Sequence, residues 1–173
     1  RSVSAFLLNR SSDLEIVTTI SPDKHFRSIG DFIDGVAVAY GHLEKPEGGR
    51  WGLIDEQGNE ITEFCYWYIE HIGGNLYKAQ VTAGGKENLM WKDGKLIFKE
   101  SYGSLYGYRH GYIIACNTIR KTKTTPTRYL HGLLHVRGEV ILPVEYDKIK
   151  WMDGYEDVLY TAREGHFGYV KAK

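Results

Sequence analysis

Polar and apolar residues alternate in residues 50–62, and this alternation predicts a β-hairpin rather than a helix. Trp51, Leu53 and Asp55 fall on one face of the predicted first arm, and Gly58 marks the turn into a return arm. The same pattern comes back in residues 88–97 and 132–141. The chain is therefore predicted to be a tandem repeat of hairpins.

A second recurring element follows each turn and consists of an aromatic residue, two variable residues and an aliphatic residue. It occurs at residues 26–29, 66–69, 102–105 and 146–149. In three copies its tyrosine lies eight positions after the turn glycine, which is Gly58, Gly94 or Gly138. These glycines are 36 and 44 positions apart, and a fixed internal spacing with joints of variable length is typical of stacked supersecondary units. We expect the three tyrosines to occupy equivalent buried positions.

Each unit also carries a third short apolar run, bounded by glycine or polar residues and lacking helix-capping signals. These runs lie at residues 35–39, 75–79, 111–115 and 158–162. The prediction is a single all-β repeat domain over residues 1–173, stacked as a β-solenoid or closed into a propeller-like ring. Its approximate units are 1–40, 41–81, 82–116 and 117–163, with a partial unit at 164–173.

The core is expected to lie between neighbouring copies, because one hairpin unit cannot bury its apolar face alone. The residues expected there are Trp51, Leu53, Ile54, Tyr66, Ile97, Tyr102, Leu133, Ile141 and Tyr146. Residues 5–9 and 167–170 are expected to belong to incomplete terminal copies, either open as sheet edges or paired with another part of a longer parent chain.

Composition narrows the class of protein. Apolar residues make up 42% of the 173 residues, which is typical of a folded domain. Lys plus Arg and Asp plus Glu number 22 each, so no long-range field favours nucleic acid, and no apolar run approaches the ~20 residues that cross a bilayer. Because the sequence starts at Arg1, a processed or cut chain is expected. The compartment stays open, with the cytoplasm slightly favoured over export.

These motifs resemble the WG repeats, also called KWG repeats, of bacterial tandem-repeat proteins. Residues 50–55, Arg-Trp-Gly-Leu-Ile-Asp, match the first half of the family pattern, and residues 140–147 match the second half. Residues 32–38 are similar to the family's connector, whereas Trp91 and His135 depart from it at the position of Asp55. The resemblance implies a tandem β-repeat fold. It implies little about activity, since such repeats accompany many partner domains and share no catalytic residue.

The sequence contains no residue pattern typical of a catalytic or metal-binding site, so no catalytic residue, metal or cofactor is predicted. His131 and His135 are four positions apart, which on a strand separates them by roughly 13 Å, too far to share one zinc ion. Cys65 and Cys116 follow apolar residues without a charged neighbour, which predicts two buried free thiols and leaves a disulfide open.

Two features favour a binding role. Residues 118–128 form a long Thr-rich joint that carries four cations, and this joint is either a solvated hairpin tip or a docking arm for an acidic partner. Exposed tyrosine and tryptophan are typical of protein or sugar contacts. The candidate loop residues are Arg120, Lys121, Lys123 and Arg128, and the candidate aromatic surface is Trp67, Tyr68, Tyr106 and Tyr108.

The sequence therefore favours a non-catalytic repeat-type binding or scaffold module for protein–protein interaction, expected to be bacterial and part of a larger protein or system. The alternative is a cell-surface glycan or cell-wall binding module that uses exposed Tyr and Trp. An enzyme is the third and least favoured reading, because a glycosidase needs a pair of carboxylates that does not stand out here. Neither nucleic-acid binding nor membrane insertion is expected.

Overall fold

The computed structural model describes residues 4–5, 18–20, 26–41, 49–119 and 126–172. All regular elements of this part of the chain are β-strands, which confirms the predicted all-β class. The described residues contain no helix long and apolar enough to cross a membrane. Two compact units are distinguished, one comprising Arg1–Val81 with Met90–Lys95 and the other Thr82–Leu89 with Leu96–Lys173. The prediction of one repeat domain with the boundaries given above stays a prediction.

The first unit contains antiparallel sheets whose strands follow one another along the chain. A short ladder pairs β1 (Ser4–Ala5) with β2 (Thr18–Thr19). A three-stranded sheet has the order β3 (Phe26–Ile29), β4 (Val36–Gly41) and β5 (Arg50–Asp55). The next has the order β6 (Tyr68–Gly73), β7 (Leu76–Gln80) and β8 (Glu87–Trp91), and Met90 and Trp91 are the part of β8 that belongs to this unit.

The second unit contains a four-stranded and a three-stranded antiparallel sheet. The larger sheet has the order β12-β11-β10-β9, formed by β9 (Ser104–Arg109), β10 (Tyr112–Ile119), β11 (Arg128–His135) and β12 (Val140–Tyr146). The smaller sheet has the order β13 (Lys148–Trp151), β14 (Val158–Arg163) and β15 (His166–Lys171). In each sheet of three or more described strands, the predicted first arm of the hairpin pairs with the apolar run that precedes it in the chain. In the four-stranded sheet, the first arm β11 also pairs with its return arm β12.

Both faces of β5 are buried in the first unit. Leu53 packs in one apolar cluster with Ile69 and Tyr77, whereas the adjacent Ile54 packs in another with Ala37 and Phe64. Successive strand residues point to opposite faces, so a strand covered on both faces reads as a continuous apolar run instead of an alternating one. Fully burying a side chain such as Leu53 stabilises the fold by roughly 1.5–3 kcal/mol.

In the second unit, Ile114 and Leu133 of the larger sheet pack against Ile149 and Leu159 of the smaller one. Of the residues predicted for the core, Leu53, Ile54, Tyr102 and Leu133 are buried, and Trp51, Tyr66, Ile97 and Tyr146 are half-buried. The prediction is wrong for Ile141, which is 40% exposed. The reason is that Ile141 lies on β12, a strand in which every residue is exposed or only half-buried.

The three predicted turns have the same backbone geometry. The N–H groups of Gly58, Gly94 and Gly138 each donate to the carbonyl three residues earlier, with N···O distances of 2.9 Å in all three turns. Their φ angles are 75°, 85° and 93°, a left-handed conformation that glycine adopts without steric cost. In the first turn, the Asp55 carboxylate accepts hydrogen bonds from the N–H groups of Gln57 and Asn59, as expected of a turn-end residue.

The three predicted tyrosines also occupy equivalent backbone positions. Tyr66 pairs with Trp51, Tyr102 with Glu87 and Tyr146 with His131, and the partner lies fifteen positions earlier in each case. Their burial is not equal: Tyr102 is 9% exposed, whereas Tyr66 and Tyr146 are only half-buried. The eight-residue spacing therefore specifies the backbone pairing, and the local packing of each unit determines how deeply the ring is covered.

Candidate functional site

The candidate site is an open groove of about 650 Å³ on the second unit. Tyr106 of β9 forms one wall, and β11 and β13 supply most of the remaining residues. Its lining consists of polar, cationic and aromatic side chains above one apolar residue: Tyr106, Arg128, Tyr129, His131, Asp147, Lys148, Ile149 and Lys150. Ile149 is 2% exposed and belongs to the core, so the floor of the groove is fixed by the fold.

An ion pair between Arg128 and Asp147 joins two elements of the groove. Pairing of His131 with Tyr146 places the start of β11 beside the residue that follows β12, so Arg128 Nη2 lies 2.7 Å from Asp147 Oδ1. The other carboxylate oxygen accepts a hydrogen bond from the N–H of Glu164 at 2.8 Å. The Arg128 hydrogen bond is the main cause that lowers the pKa of Asp147, followed by the Glu164 N–H. Both side chains are exposed, so the pair orients Arg128 more than it stabilises the fold.

Tyr106 and His131 form a second polar contact across the groove. The Tyr106 hydroxyl oxygen lies 2.8 Å from His131 Nδ1, and the rings meet edge to face at 6.2 Å. Burial lowers the pKa of His131, an effect that the nearby Asp147 carboxylate partly opposes. Burial also raises the pKa of Tyr106. The Tyr106 hydroxyl and His131 Nδ1 therefore share a hydrogen bond, in which the hydroxyl donates when the neutral imidazole carries its proton on Nε2, and His131 contributes no positive charge above its lowered pKa.

The groove carries an excess of positive charge. Among the described residues that line it, three are cationic, Arg128, Lys148 and Lys150, and one is acidic, Asp147, which Arg128 already pairs. Lys148 and Lys150 are exposed, and within the described residues neither has an ion-pair partner. Tyr129 is 58% exposed at the same groove. The arrangement thus presents two free ammonium groups beside an accessible aromatic ring.

The structure brings one residue of each predicted surface into this groove, namely Arg128 of the basic joint and Tyr106 of the aromatic set. Tyr108 is 39% exposed on the same strand as Tyr106 but does not line the groove. Arg120, Lys121 and Lys123 lie outside the residues that the structure describes. Both the docking-arm and the hairpin-tip interpretations of that joint stay predictions.

Trp67 and Tyr68, the other predicted aromatic residues, lie in the first unit and are 42% and 47% exposed. The guanidinium carbon of Arg50 lies 3.9 Å from the centroid of the Trp67 ring, a cation–π contact. Tyr68 meets Trp51 edge to face at 6.1 Å. One face of the Trp67 ring is thus covered by Arg50, so only its other face is open to a ligand.

Sequence reasoning missed Asp147, Lys148, Lys150, Tyr129 and His131 as site residues. A signal for the first two was present, because they are the two variable residues of the element at 146–149. Trp67 and Tyr68 are the corresponding pair of the element at 66–69, and all four of these residues are exposed. The variable positions between the aromatic and the aliphatic residue are therefore the outward-facing ones.

Neither cysteine is activated as a nucleophile. Burial raises the pKa of both Cys65 and Cys116, and Glu63 raises that of Cys65 further, which disfavours the nucleophilic thiolate. Both thiols are free, but the prediction that both are buried is wrong for Cys65, which is exposed in the segment between two strands. Among the described residues, no group of three or more His, Cys, Asp or Glu side chains is arranged to hold a metal ion.

No protein-family model matches the chain, and no curated protein matches it either.

Proposed function

We propose that this chain is a non-catalytic binding module of the WG-repeat type, whose groove binds an acidic segment of a partner protein. One observation carries the proposal: Lys148 and Lys150 are free cations beside the exposed Tyr129, and Asp147, the one carboxylate among the described residues that line the groove, is paired with Arg128. Such a site attracts carboxylates and offers an aromatic ring for packing.

The shape of the groove favours an extended peptide over a small molecule. Small-molecule sites enclose most of the surface of their ligand, whereas this groove is open along one side. Exposed ammonium groups on such a surface mainly increase the association rate and weaken binding at high salt, because salt screens them. The fixed Tyr106–His131 contact and the buried Ile149 supply a floor that needs little rearrangement on binding.

The repeat assignment is supported by how the turns pack. A Cβ at Gly94 would lie 2.7 Å from Thr62 Cγ2, and one at Gly138 would lie 3.4 Å from the Ile97 carbonyl oxygen. Each of these turns thus contacts the return arm of the copy before it. Contacts of this kind between consecutive copies favour a stacked, solenoid-like arrangement, in keeping with the WG-type sequence pattern.

The proposal is tested by the affinity of a fluorescent poly-Glu peptide for the full chain, measured by anisotropy at several salt concentrations. The double variant Lys148→Ser/Lys150→Ser should bind about tenfold more weakly, or ~1.4 kcal/mol, with a shallower salt dependence. Lys95→Ser/Lys99→Ser is the matched control, because it removes two exposed lysines outside the groove. Equal losses in both double variants would show that net charge alone attracts the peptide, and would contradict the groove.

A glycan is the second candidate ligand, favoured by the 58% exposure of the Tyr129 ring. Sugar rings pack on exposed aromatic faces, and this contact does not depend on the lysines. Under this alternative, Tyr129→Ala would abolish binding to an array of cell-wall oligosaccharides, whereas Lys148→Ser/Lys150→Ser would leave it unchanged. Under the protein-binding proposal, the array shows no binding above background while the acidic peptide binds.

A further inference from the structure

Three equivalent backbone N–H groups of the repeat stand beside different side chains. They belong to the aliphatic residue three positions after the tyrosine of each recurring element, which is Ile69, Leu105 or Ile149. The residue that pairs with that tyrosine lies eighteen positions before the aliphatic residue and is Trp51, Glu87 or His131. The three places can therefore be compared residue by residue.

At Leu105, a carboxylate of the chain itself accepts the hydrogen bond of this N–H. Glu87 Oε2 lies 2.6 Å from the Leu105 nitrogen. Among the described strands, β9 pairs with β10 alone, so its outer edge has no neighbouring strand to supply an acceptor. Leu105 is 1% exposed, which shields its N–H from bulk water as well. The carboxylate therefore satisfies a buried donor through a charge-assisted hydrogen bond.

At Ile149, none of the described residues accepts the corresponding hydrogen bond. The Met152 N–H donates to the Val158 carbonyl, in the register that places Ile149 opposite Thr161. Hydrogen-bonded and non-hydrogen-bonded pairs alternate along antiparallel strands, so the Ile149 N–H points away from β14. Ile149 is 2% exposed and lines the groove. This donor therefore lies at the floor of the groove without an acceptor from the described chain.

The side chain at the position of Glu87 is here His131, which carries no carboxylate. Its Nδ1 is engaged with the Tyr106 hydroxyl at 2.8 Å. The two lysines of β13 flank Ile149, and within the described residues neither has an ion-pair partner. The groove therefore places positive charge around a buried donor, at the place where the previous copy holds a carboxylate.

The copy that contains Ile69 lacks this combination. At the position of His131 it has Trp51, whose indole is a donor and offers no acceptor. Tyr68 and Glu70 occupy the positions of the two β13 lysines. A ligand carboxylate would meet an acidic side chain and an aromatic ring there instead of two ammonium groups. Among the three places, only that of Ile149 combines an unpaired donor with cations.

We propose that the Ile149 N–H is the point at which the groove receives a carboxylate side chain of the partner's acidic segment, in the place that Glu87 occupies at Leu105. The inference rests on the function proposed for the groove and specifies its central contact. Lys148 and Lys150 attract the acidic segment from a distance, whereas the N–H fixes one carboxylate at a defined position, because a hydrogen bond is directional and an exposed ammonium group is not.

The probe is a C-terminally amidated poly-Glu peptide, titrated into the isotope-labelled full chain at low salt and followed by amide NMR shifts. The Ile149 amide proton should move downfield and exchange more slowly with solvent, because it gains a charge-assisted hydrogen bond. The amides of Lys148 and Lys150 should move less, since they already donate to β14. Binding measured by anisotropy without a change at Ile149 would overturn this inference and leave the function proposed for the groove intact, whereas absence of binding would overturn both.

The same peptide with a free C-terminus tests the source of the carboxylate. Both forms should shift the Ile149 amide equally, because the groove is open along one side and an extended chain can run through it. A shift that only the free-acid peptide causes would assign the site to a C-terminal carboxylate and overturn the assignment to a side chain.

His131→Glu tests the equivalence with Glu87. The new carboxylate should occupy the site from within the chain, as Glu87 does at Leu105, so the Ile149 amide should move downfield without peptide. Peptide affinity should fall at least tenfold. Tyr129→Glu is the matched control, because it adds the same charge at an exposed position of the groove and should weaken binding without moving the Ile149 amide. Equal Ile149 shifts in the two variants would contradict the proposal.

Glu87→Ala calibrates the readout within the same protein. Loss of this carboxylate should move the Leu105 amide upfield and speed its exchange with solvent, and the size of that shift gives the scale expected at Ile149. An unchanged Leu105 amide would show that the carboxylate is not its acceptor in solution, and would overturn the comparison on which the proposal stands.

Discussion

Asn88 holds the backbone of Phe98 on both sides: its Oδ1 accepts a hydrogen bond from the Phe98 N–H at 3.1 Å, and its Nδ2 donates to the Phe98 carbonyl at 2.8 Å. Asn88 stands six positions before the turn glycine, where the other two hairpins have Gly52 and Gly132. In the hairpins of Gly52 and Gly132, a side chain of the return arm packs on the glycine. In the hairpin of Asn88, the side-chain amide of the first arm fills the corresponding space and binds the return arm through hydrogen bonds.

Replacing Asn88 with Ala should destabilise the protein by about 2–4 kcal/mol. Asn88 is 1% exposed, so the variant leaves the buried N–H and carbonyl groups of Phe98 without their hydrogen-bond partner. Each such unsatisfied group costs about 1–3 kcal/mol of stability. The measurement is the free energy of unfolding in urea. Asn59→Ala, which removes an exposed amide at a turn, serves as the control and should change stability by less than about 1 kcal/mol.

Gly132→Ala and Gly168→Ala should have opposite effects on stability, although both glycines occupy the same position of equivalent strands. At Gly132 the new methyl group would lie 2.8 Å from the Leu142 carbonyl oxygen and 2.9 Å from Val144 Cα, so the backbone must shift. Such overpacking lowers the free energy of unfolding by about 1–3 kcal/mol. At Gly168 the methyl group has space, and the loss of unfolded-state freedom stabilises by about 0.4–1 kcal/mol. Thermal unfolding of both variants measures the difference, and destabilisation by Gly168→Ala would contradict the open space beside Gly168.

Stability should decrease as pH is lowered through a window set by the pKa of His131. Its pKa in the folded protein lies below the ordinary value of 6.5 because of burial, so the unfolded chain takes up the proton first as pH falls. The contribution is fully present above 6.5 and is lost between 6.5 and the lowered pKa. His131→Asn keeps a hydrogen-bond acceptor for Tyr106 without titrating in this range.

The urea midpoint of the unaltered protein should therefore decline from about pH 7 to pH 5, and the decline should be smaller in His131→Asn. Asp147 acts in a different window: its lowered pKa contributes stability above the ordinary value of 3.8, which is lost only as pH falls below it. Arg128→Gln should remove much of that more acidic component and leave the His131 window in place. Identical pH profiles for the unaltered protein and His131→Asn would contradict the assignment.

The basic joint gives a prediction about association kinetics. Replacing Arg120, Lys121 and Lys123 with Ser should slow association with the poly-Glu peptide and weaken its salt dependence, if the joint steers an acidic partner to the groove. Stability should change by less than about 0.5 kcal/mol. Stopped-flow fluorescence measures the association rate. Arg128→Ser should act differently, mainly on dissociation, because Arg128 is oriented at the groove by Asp147. Unaltered association at every ionic strength would favour the solvated hairpin tip.

The sequence by itself determined the local features of this protein. The all-β class, the left-handed glycine turns and the pairing of Tyr66, Tyr102 and Tyr146 all follow from spacings of fifteen residues or fewer. Such features depend on backbone conformation and on neighbours close along the chain, which the residue types at Gly58 and Asp55 already specify. For the same reason, the exposed variable positions after each tyrosine could have been identified from the repeat alone.

Only the tertiary structure decided which residues meet across strands. The groove joins Tyr106, Arg128 and Lys148, which are far apart in the sequence and carry no motif that links them. The tertiary structure also decided which side chains are buried. Leu133 is buried whereas the equivalent Tyr169 is exposed to solvent, although both follow a glycine in the same register. The physical reason is that an alternating pattern states which residues share a face of a strand, whereas the strand that covers this face comes from elsewhere in the fold.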